Sequence, residues 1–455
     1  MKKIYLAVGL LCLGFLGALS PQKAMCGEET LYDLPSSIGA ALKGNPSLAQ
    51  SRHNVMYYEN GVALAKKQFG PQLFLHGSIV TFDSERDFSP LISTPGTTLI
   101  TREASGTNYV AGLTLTQPVF REGSFFGKRS ASVERERNSF ESERFTEQAL
   151  EADVVYRVSE AYGNILKTLN AAGTEEEGLK TSELLYKTAR SKYSLEMINK
   201  VELLDAEKAV VDHKIKIETL GNDLAANMGA LAASIGSEGL VISRISTDMA
   251  QFRAVLCAEE SLPPFEQLVQ AAYRNRNDLK AQESLVESIA NNLNVVKSKR
   301  YPEVSLNAGY FQTGDAEFEE SGKAWNLLAR ADILIFDFGR TKAEVSREQN
   351  RLFAQQEALR ALKNDIRSEA RENYQKMENL KAELAGLAKS EEQAREALLL
   401  AREKYNRELI SELDLMKAQD KLSEIELSIH DAEIDLVLAR LALKKSAGLK
   451  LLECR

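Results

Sequence analysis

Catalysis needs reactive side chains brought together, and this sequence offers few sets that could meet. Its four histidines, His53, His76, His213 and His430, are scattered, and no Cys/His spacing suits zinc. GxSxG, HExxH, P-loop and GxGxxG patterns are missing from any suitable context. Carboxylates abound, but they alternate with Lys and Arg along stretches of helical period, which is the pattern of solvated faces. The expectation is no enzyme, no metal and no cofactor. Two polar pairs carry more information: Asn199 with Glu202, and Ser411 with Asp414, each three residues apart. This is the spacing of a capping box or a close variant, in which a side-chain oxygen takes a first-turn N–H. Each pair marks a place where one long helix ends and a return helix opens.

The composition fits such helices. Aromatic residues are 7%, charged residues 27%, and prolines only 10 in 455, as expected for long helices rather than compact α/β domains. Lys and Arg number 57 against 65 Asp and Glu, and the resulting −8 argues against a general nucleic-acid binder. No apolar run of 18 residues lies beyond the N-terminus, so no membrane-spanning helix is expected. Residues 1–26 read as a secretory signal peptide: Lys2 and Lys3, an apolar stretch Ile4–Leu19, then Ala24-Met25-Cys26. Its removal takes away Lys2, Lys3 and Lys23 and moves the charge from −8 to −11. Lipid attachment at Cys26 is a second reading, although Lys23, Ala24 and Met25 are poor residues before a lipidated cysteine.

A duplication runs through the chain. Ala41–Leu48 echoes Ala272–Leu279, and Pro71–Leu75 echoes Pro302–Leu306, both at an offset of 231. Gly127/Gly339, Tyr162/Tyr374, Tyr193/Tyr405, Ala206/Ala418 and Gly236/Gly448 then match at an offset of 212. Across 186–207 against 398–419, eight of 22 positions are identical. Shared heptads could give that score locally, but they would not hold one offset over so long a span. The drop of 19 in the offset requires a loop, since a change inside paired strands would spoil their register; Asp83–Gly106, rich in Ser, Thr, Pro and Gly, is the place.

The fold expected is mainly α with a small β part: a duplicated helix, β-hairpin and long helical hairpin. The first repeat, 27–240, has helix 46–69, strands near 72–82 and 108–120, and long helices near 128–194 and 200–235. A linker, 241–262, leads to the second repeat, 263–450, with helix 277–300, strands near 303–312 and 325–336, and long helices near 340–406 and 412–447. A tail, 451–455, follows. Strand faces alternate cleanly: Leu306, Ala308 and Tyr310 against Ser305, Asn307 and Gly309; Leu113 and Leu115 against Gly112, Thr114 and Thr116. About ten residues is the length a tilted strand needs to cross a bilayer. Four strands cannot close a barrel, and an open edge cannot face lipid, so several chains would have to pool them; three would give twelve strands.

The chain resembles the TolC-type outer-membrane efflux proteins over about 31–450. The motifs are Ala-Leu-Lys-Gly-Asn-Pro-Ser-Leu (41–48), Pro-Gln-Leu-Phe-Leu (71–75) and Leu-Thr-Gln-Pro-Val-Phe (115–120) in the first half. Ile-Phe-Asp-Phe-Gly-Arg (335–340), Val-Glu-Leu-Leu-Asp-Ala-Glu (201–207) and Leu-Asp-Leu-Met-Lys-Ala-Gln (413–419) complete the set. Each is weak alone, but their doubled order is specific. The resemblance implies a homotrimer with a twelve-stranded β-barrel in outer-membrane lipid and a long periplasmic α-helical barrel. It also implies a periplasmic adaptor, an inner-membrane pump, and export in efflux or type I secretion.

The same resemblance places a closed periplasmic aperture at the helical turns. Asp414 matches the first position of an acidic ring, while the second position is Lys417; Glu202 and Asp205 belong to the same aperture set. A lysine there implies a weaker negative constriction. Tyr405 and Glu202 match a Tyr–Asp gate contact between repeats, and Ile410 and Val201 replace an Arg–Thr contact with apolar residues. The turns Leu195-Glu196-Met197 and Arg407-Glu408-Leu409 would face the adaptor. Glu196 and Glu408 stand where the family often has Gly, which leaves three readings: a different turn, a negative rim, or plain solvation. Cys257 and Cys454 each follow a repeat's last helix, in a compartment that allows disulfides; pairing is one reading and two free thiols the other. The rival function is a secreted coiled-coil scaffold or adhesin, which would not need four symmetric amphipathic strands.

Overall fold

A computed structural model describes residues 31–82, 91–94, 97–100, 106–236, 244–256, 262–315, 321–407 and 409–452. The expected signal peptide, Cys257, Glu408 and Cys454 lie outside the described residues. The first half contains β1 (Leu31–Tyr32), α1 (Leu34–Gly44), α2 (Pro46–Lys67), β2 (Gln72–Phe82), β3 (Leu91–Thr94), β4 (Thr97–Ile100), β5 (Gly106–Arg121), β6 (Ser124–Phe125), α3 (Ala131–Ser194) and α4 (Lys200–Ile235). Then come β7 (Arg244–Ile245), α5 (Met249–Val255), α6 (Phe265–Asn275), α7 (Asn277–Ser298), β8 (Glu303–Asp315), β9 (Ser321–Asp332), α8 (Arg340–Asn406) and α9 (Glu412–Ser446). The order helix, two long strands, two long helices thus occurs twice.

Local chemistry sets the element ends. Asn45 caps α2, its side-chain oxygen accepting from Ser47 N (2.9 Å) and Leu48 N (3.3 Å), with Pro46 at the first helical position where no N–H is needed. α2 and α7 stop just ahead of Pro71 and Pro302. α3 has 64 residues and α8 has 67. At 1.5 Å per residue each is about 100 Å long.

The main strands form one antiparallel sheet in the order β2-β5-β8-β9, with β6 folded back on β5. Register brings apolar residues to one face: Leu75 faces Leu113, which faces Tyr310, which faces Trp325. This face is bare, with Leu75 80% and Trp325 79% exposed. The opposite face carries Thr114, Asn307 and Phe311, all buried, so the sheet curls round that side. Two glycines permit the curl. A Cβ on Gly112 or on Gly309 would stand 2.3 Å from a ring carbon of Phe311.

Strand bounds and one loop differ from expectation: β8 runs on to Asp315 rather than about 312, and β9 begins at Ser321 rather than about 325. β9 ends at Asp332 rather than near 336, because its partner β8 begins at Glu303 and Pro302 has no N–H to extend the ladder. Beyond it Asp337 turns the chain into α8, accepting from Gly339 N (3.0 Å) and Thr341 N (2.7 Å). The extra segment between β2 and β5, expected as a loop, contains the hairpin β3–β4.

The apolar core lies in the helices, away from the sheet. Leu34 and Ile38 of α1, Val158 and Ile165 of α3, and Leu231 of α4 meet Phe252 of α5 and Ile434 and Leu441 of α9. The stripe Val154, Val158, Ala161, Ile165 is the period-3.6 face of α3 that makes this possible. Tyr162 stacks on Phe252 and donates to Ser246 O at 2.6 Å; burial pushes its phenol up to about 12. At the matching level of the second half, Arg276 holds Asp278 (2.7 Å) and Glu369 (2.6 Å), tying α7 to α8.

Candidate functional site at the helical turns

Helices α3 and α4 form one hairpin and α8 and α9 another, and α9 packs along α3. The far ends of both hairpins are therefore side by side. At the first turn, Glu196 N donates to Tyr193 O and Met197 N to Lys192 O, both at 2.9 Å. This closure requires a left-handed residue, and Glu196 supplies it at φ +57°. The turn is thus the glycine-type geometry with a glutamate in it, not a different one. At the second turn Leu409 N donates to Lys404 O at 2.9 Å, repeating the Met197–Lys192 bond at the duplication's offset.

The return helices are capped as their sequences suggest, with one distinction. Ser411 and Asp414 make the full reciprocal box: Asp414 N donates to Ser411 Oγ, and Ser411 N to Asp414 Oδ2, each at 3.2 Å. Asn199 accepts from Glu202 N (2.9 Å), but the Glu202 carboxylate takes the Asn199 side-chain amide (2.8 Å) instead of its backbone. Hydrogen bonds from the Ser411 hydroxyl and backbone, then the charge of Lys417, hold the Asp414 carboxyl below the usual range. Asp414 is thus an exposed, fixed negative charge, one turn before exposed Lys417. Glu202 and Asp205 are exposed on α4.

Between the two hairpin ends lies a cavity of about 600 Å³. Tyr405, Glu202 and Ile410 line it with Lys192, Met197 and Met416. No hydrogen bond joins Tyr405 to Glu202 among the described residues. Val201 is exposed outside the lining. The polar link between hairpins here is Lys192 Nζ to Glu412 Oε2 at 3.3 Å. The sequence reading missed this pair, and two helical charges 220 residues apart give no local signal. Leu195, Met197 and Leu409 are exposed apolar residues at the very tips, beside exposed Glu196 and Arg407.

The site thus places fixed charges of both signs beside a cavity between the two hairpin ends. An amphipathic antiparallel sheet joined to two long helical hairpins, each with one helix of about 100 Å, is the architecture of a β-barrel subunit with a helical extension. The sequence pattern of outer membrane efflux proteins matches residues 37–237 and 268–449. The fold is similar to solved outer-membrane channels at low identity. The Vibrio cholerae outer membrane protein VceC is 16% identical with a TM-score of 0.73, covering 92% of this chain and 96% of that one. The Campylobacter jejuni CmeC outer membrane channel is 13% identical (TM-score 0.75; 92% and 87% covered). The open state of the Neisseria gonorrhoeae MtrE outer membrane channel is 19% identical (TM-score 0.68; 92% and 89% covered). No curated protein matches. The chain belongs to the outer membrane efflux protein family. It is an efflux channel subunit of the bacterial outer membrane, with a large helical part in the periplasm.

Proposed function

We propose that three copies of this chain close a twelve-stranded barrel and a continuous helical tube, through which substrate passes to the exterior without chemical change. The observation that carries this reading is the sheet itself. Among the described residues it has an apolar outer face, four long strands, and edges at β2 and β9 that each pair on one side. Each unpaired amide facing lipid would cost several kcal/mol, and joining β9 of one copy to β2 of the next removes that cost.

On this reading residues 1–26 are the cleaved export signal, 27–240 and 263–450 are the two repeats, and 241–262 links them. Asp414, Lys417, Glu202 and Asp205 set ion preference at the periplasmic end. Tyr405, Glu202, Ile410 and Val201 lie where the two hairpins must part to open it. Leu195, Glu196, Met197, Arg407, Glu408 and Leu409 present the tips to a periplasmic adaptor, and an inner-membrane pump supplies the energy. Nothing found favours a secreted scaffold or adhesin. Cys257 and Cys454 either pair or remain free thiols, which mass analysis of the envelope protein decides. The main test is detergent extraction followed by light scattering and planar-bilayer recording. Three chains per particle and discrete conductance are expected; a monomer that never conducts would refute the proposal.

A further inference from the structure

The cavity of about 600 Å³ between the hairpin ends is walled by all four long helices. α3 contributes Lys192, α4 Ala206 and Ala209, α8 Tyr405, and α9 Glu412 and Met416. The space exists because α4 presents alanines there, whose side chains stop at Cβ where longer ones would fill it. A volume of this size is that of a small-molecule site rather than of a packing defect.

The charges in the lining do not balance. Lys192 stands against Glu202 and Glu412, which leaves −1. Lys192 is engaged with Glu412, its Nζ donating to Oε2 at 3.3 Å. Glu202 accepts the Asn199 side-chain amide on Oε1 at 2.8 Å, and no cation pairs with it among the described residues. Its Oε2 and the hydroxyl of half-buried Tyr405 have no hydrogen-bond partner among the described residues. The bordering serines are turned elsewhere: Ser182 donates to Gly178 O (2.8 Å) and Ser411 to Asp414 Oδ2 (2.7 Å). What is left over is a carboxylate, a phenol and the Asn406 amide, set among aliphatic side chains and the thioethers of Met197 and Met416.

An apolar body carrying one positive charge complements that set. Glu202 supplies the counter-charge, a tyrosine ring attracts cations, and methionine adapts to irregular apolar shapes. An anion would meet the −1, and a neutral apolar group would leave Glu202 uncompensated. We infer that this cavity binds a lipophilic ammonium ion, its amine paired with Glu202 and its apolar body lying between the hairpins. Both hairpins wall the cavity, so the ligand is held fully only while they are together. At ten times its dissociation constant it shifts the balance toward the joined arrangement about elevenfold. That consequence rests on the channel reading; the binding does not.

The test uses the full-length protein assembled in detergent at pH 7.5. The probe is protonated 1-naphthylmethylamine, with 1-naphthylmethanol as its neutral isostere, in equilibrium dialysis against protein-free micelles. Saturable binding of one amine per chain is expected, with the alcohol about fivefold weaker. Glu202→Gln keeps an acceptor for the Asn199 amide and should weaken the amine about twofold to fivefold, the scale of an exposed ion pair, leaving the alcohol unchanged. Ala209→Leu fills the space and should abolish binding of both; if it fails to assemble, Glu202→Gln still decides. Equal binding of amine and alcohol, or an amine affinity untouched by Glu202→Gln, would overturn the assignment and leave an apolar cleft that a partner's side chain fits as well. In planar bilayers, saturating amine should lower wild-type opening, and binding without that fall would overturn the coupling to the hairpins. A wild type that never conducts would overturn the channel reading instead, and the dialysis would still decide the site.

Discussion

Glu196 offers a direct test of how the first turn is built. Its φ of +57° places an L side chain in the left-handed region, and the bond from Met197 N to Lys192 O depends on that conformation. An L residue there costs about 1–2 kcal/mol. Glycine removes that strain but adds chain freedom to the unfolded state, which takes back about 0.4–1 kcal/mol. The net gain for Glu196→Gly is about 0.5–1 kcal/mol, or a twofold to fivefold slowing of exchange through local opening of the turn. Glu196→Ala is the reference, because it deletes the carboxylate and keeps the Cβ. Any benefit from removing negative charge at a helix C-terminus is then common to both variants. The measurement is native-state amide exchange at Met197. Equal exchange in the Gly and Ala variants would show that backbone strain at 196 is not what limits the turn.

The sheet, the aperture and the helical core give further tests. Gly309→Ala would press only on side-chain atoms, of Phe311 and Asn326, whereas Gly112→Ala also meets Tyr310 O at 2.8 Å. Trimming the ring with Phe311→Ala should restore folding into lipid vesicles for the first variant and not the second. Asp414→Ala should reduce cation preference in planar bilayers; unchanged selectivity would place Asp414 outside the constriction. Burial would raise the Asp278 carboxyl, but the Arg276 guanidinium overrides it and holds it below the usual range. Its contribution is therefore full above the ordinary aspartate value of about 4 and lost as pH falls below it. Asp278→Asn should flatten acid unfolding in that window, and an unaltered profile would show that the pair is not stabilising.

The long elements were legible because each is written in a single period. Leu306, Ala308 and Tyr310 mark a strand face as plainly as Val154, Val158 and Ile165 mark a helix face. The glycine–Phe311 packing was less visible, since it sets an apolar ring on the polar face, where alternation predicts none. At the turns, the capping residues could be read from spacing of three. The left-handed backbone of Glu196 could not, because sequence offers a carboxylate where geometry asks for glycine. Lys192–Glu412 was invisible for another reason. It joins helices whose relative height is fixed only by packing, and a shift of one residue would part them.

The distribution of burial along the helices assigns a mechanical role to each end. In α3 the buried residues concentrate at 154–168, and beyond them only Ser182 is buried among the described residues. In α9 Met416 is buried near the tip, and the rest begin at Ala432. α4 buries only Leu231 and Ile235, both at its core end. Toward the tips, apolar burial thins in α3 and α4, while α8 keeps Ala394 and Leu398 buried and α9 keeps Met416, beside a cavity of about 600 Å³. Elements with little buried apolar contact are those that open at low free energy. Burial is thus densest at the level of Tyr162 and sparsest in the tip of the first hairpin, which Lys192 and Glu412 tie to the second.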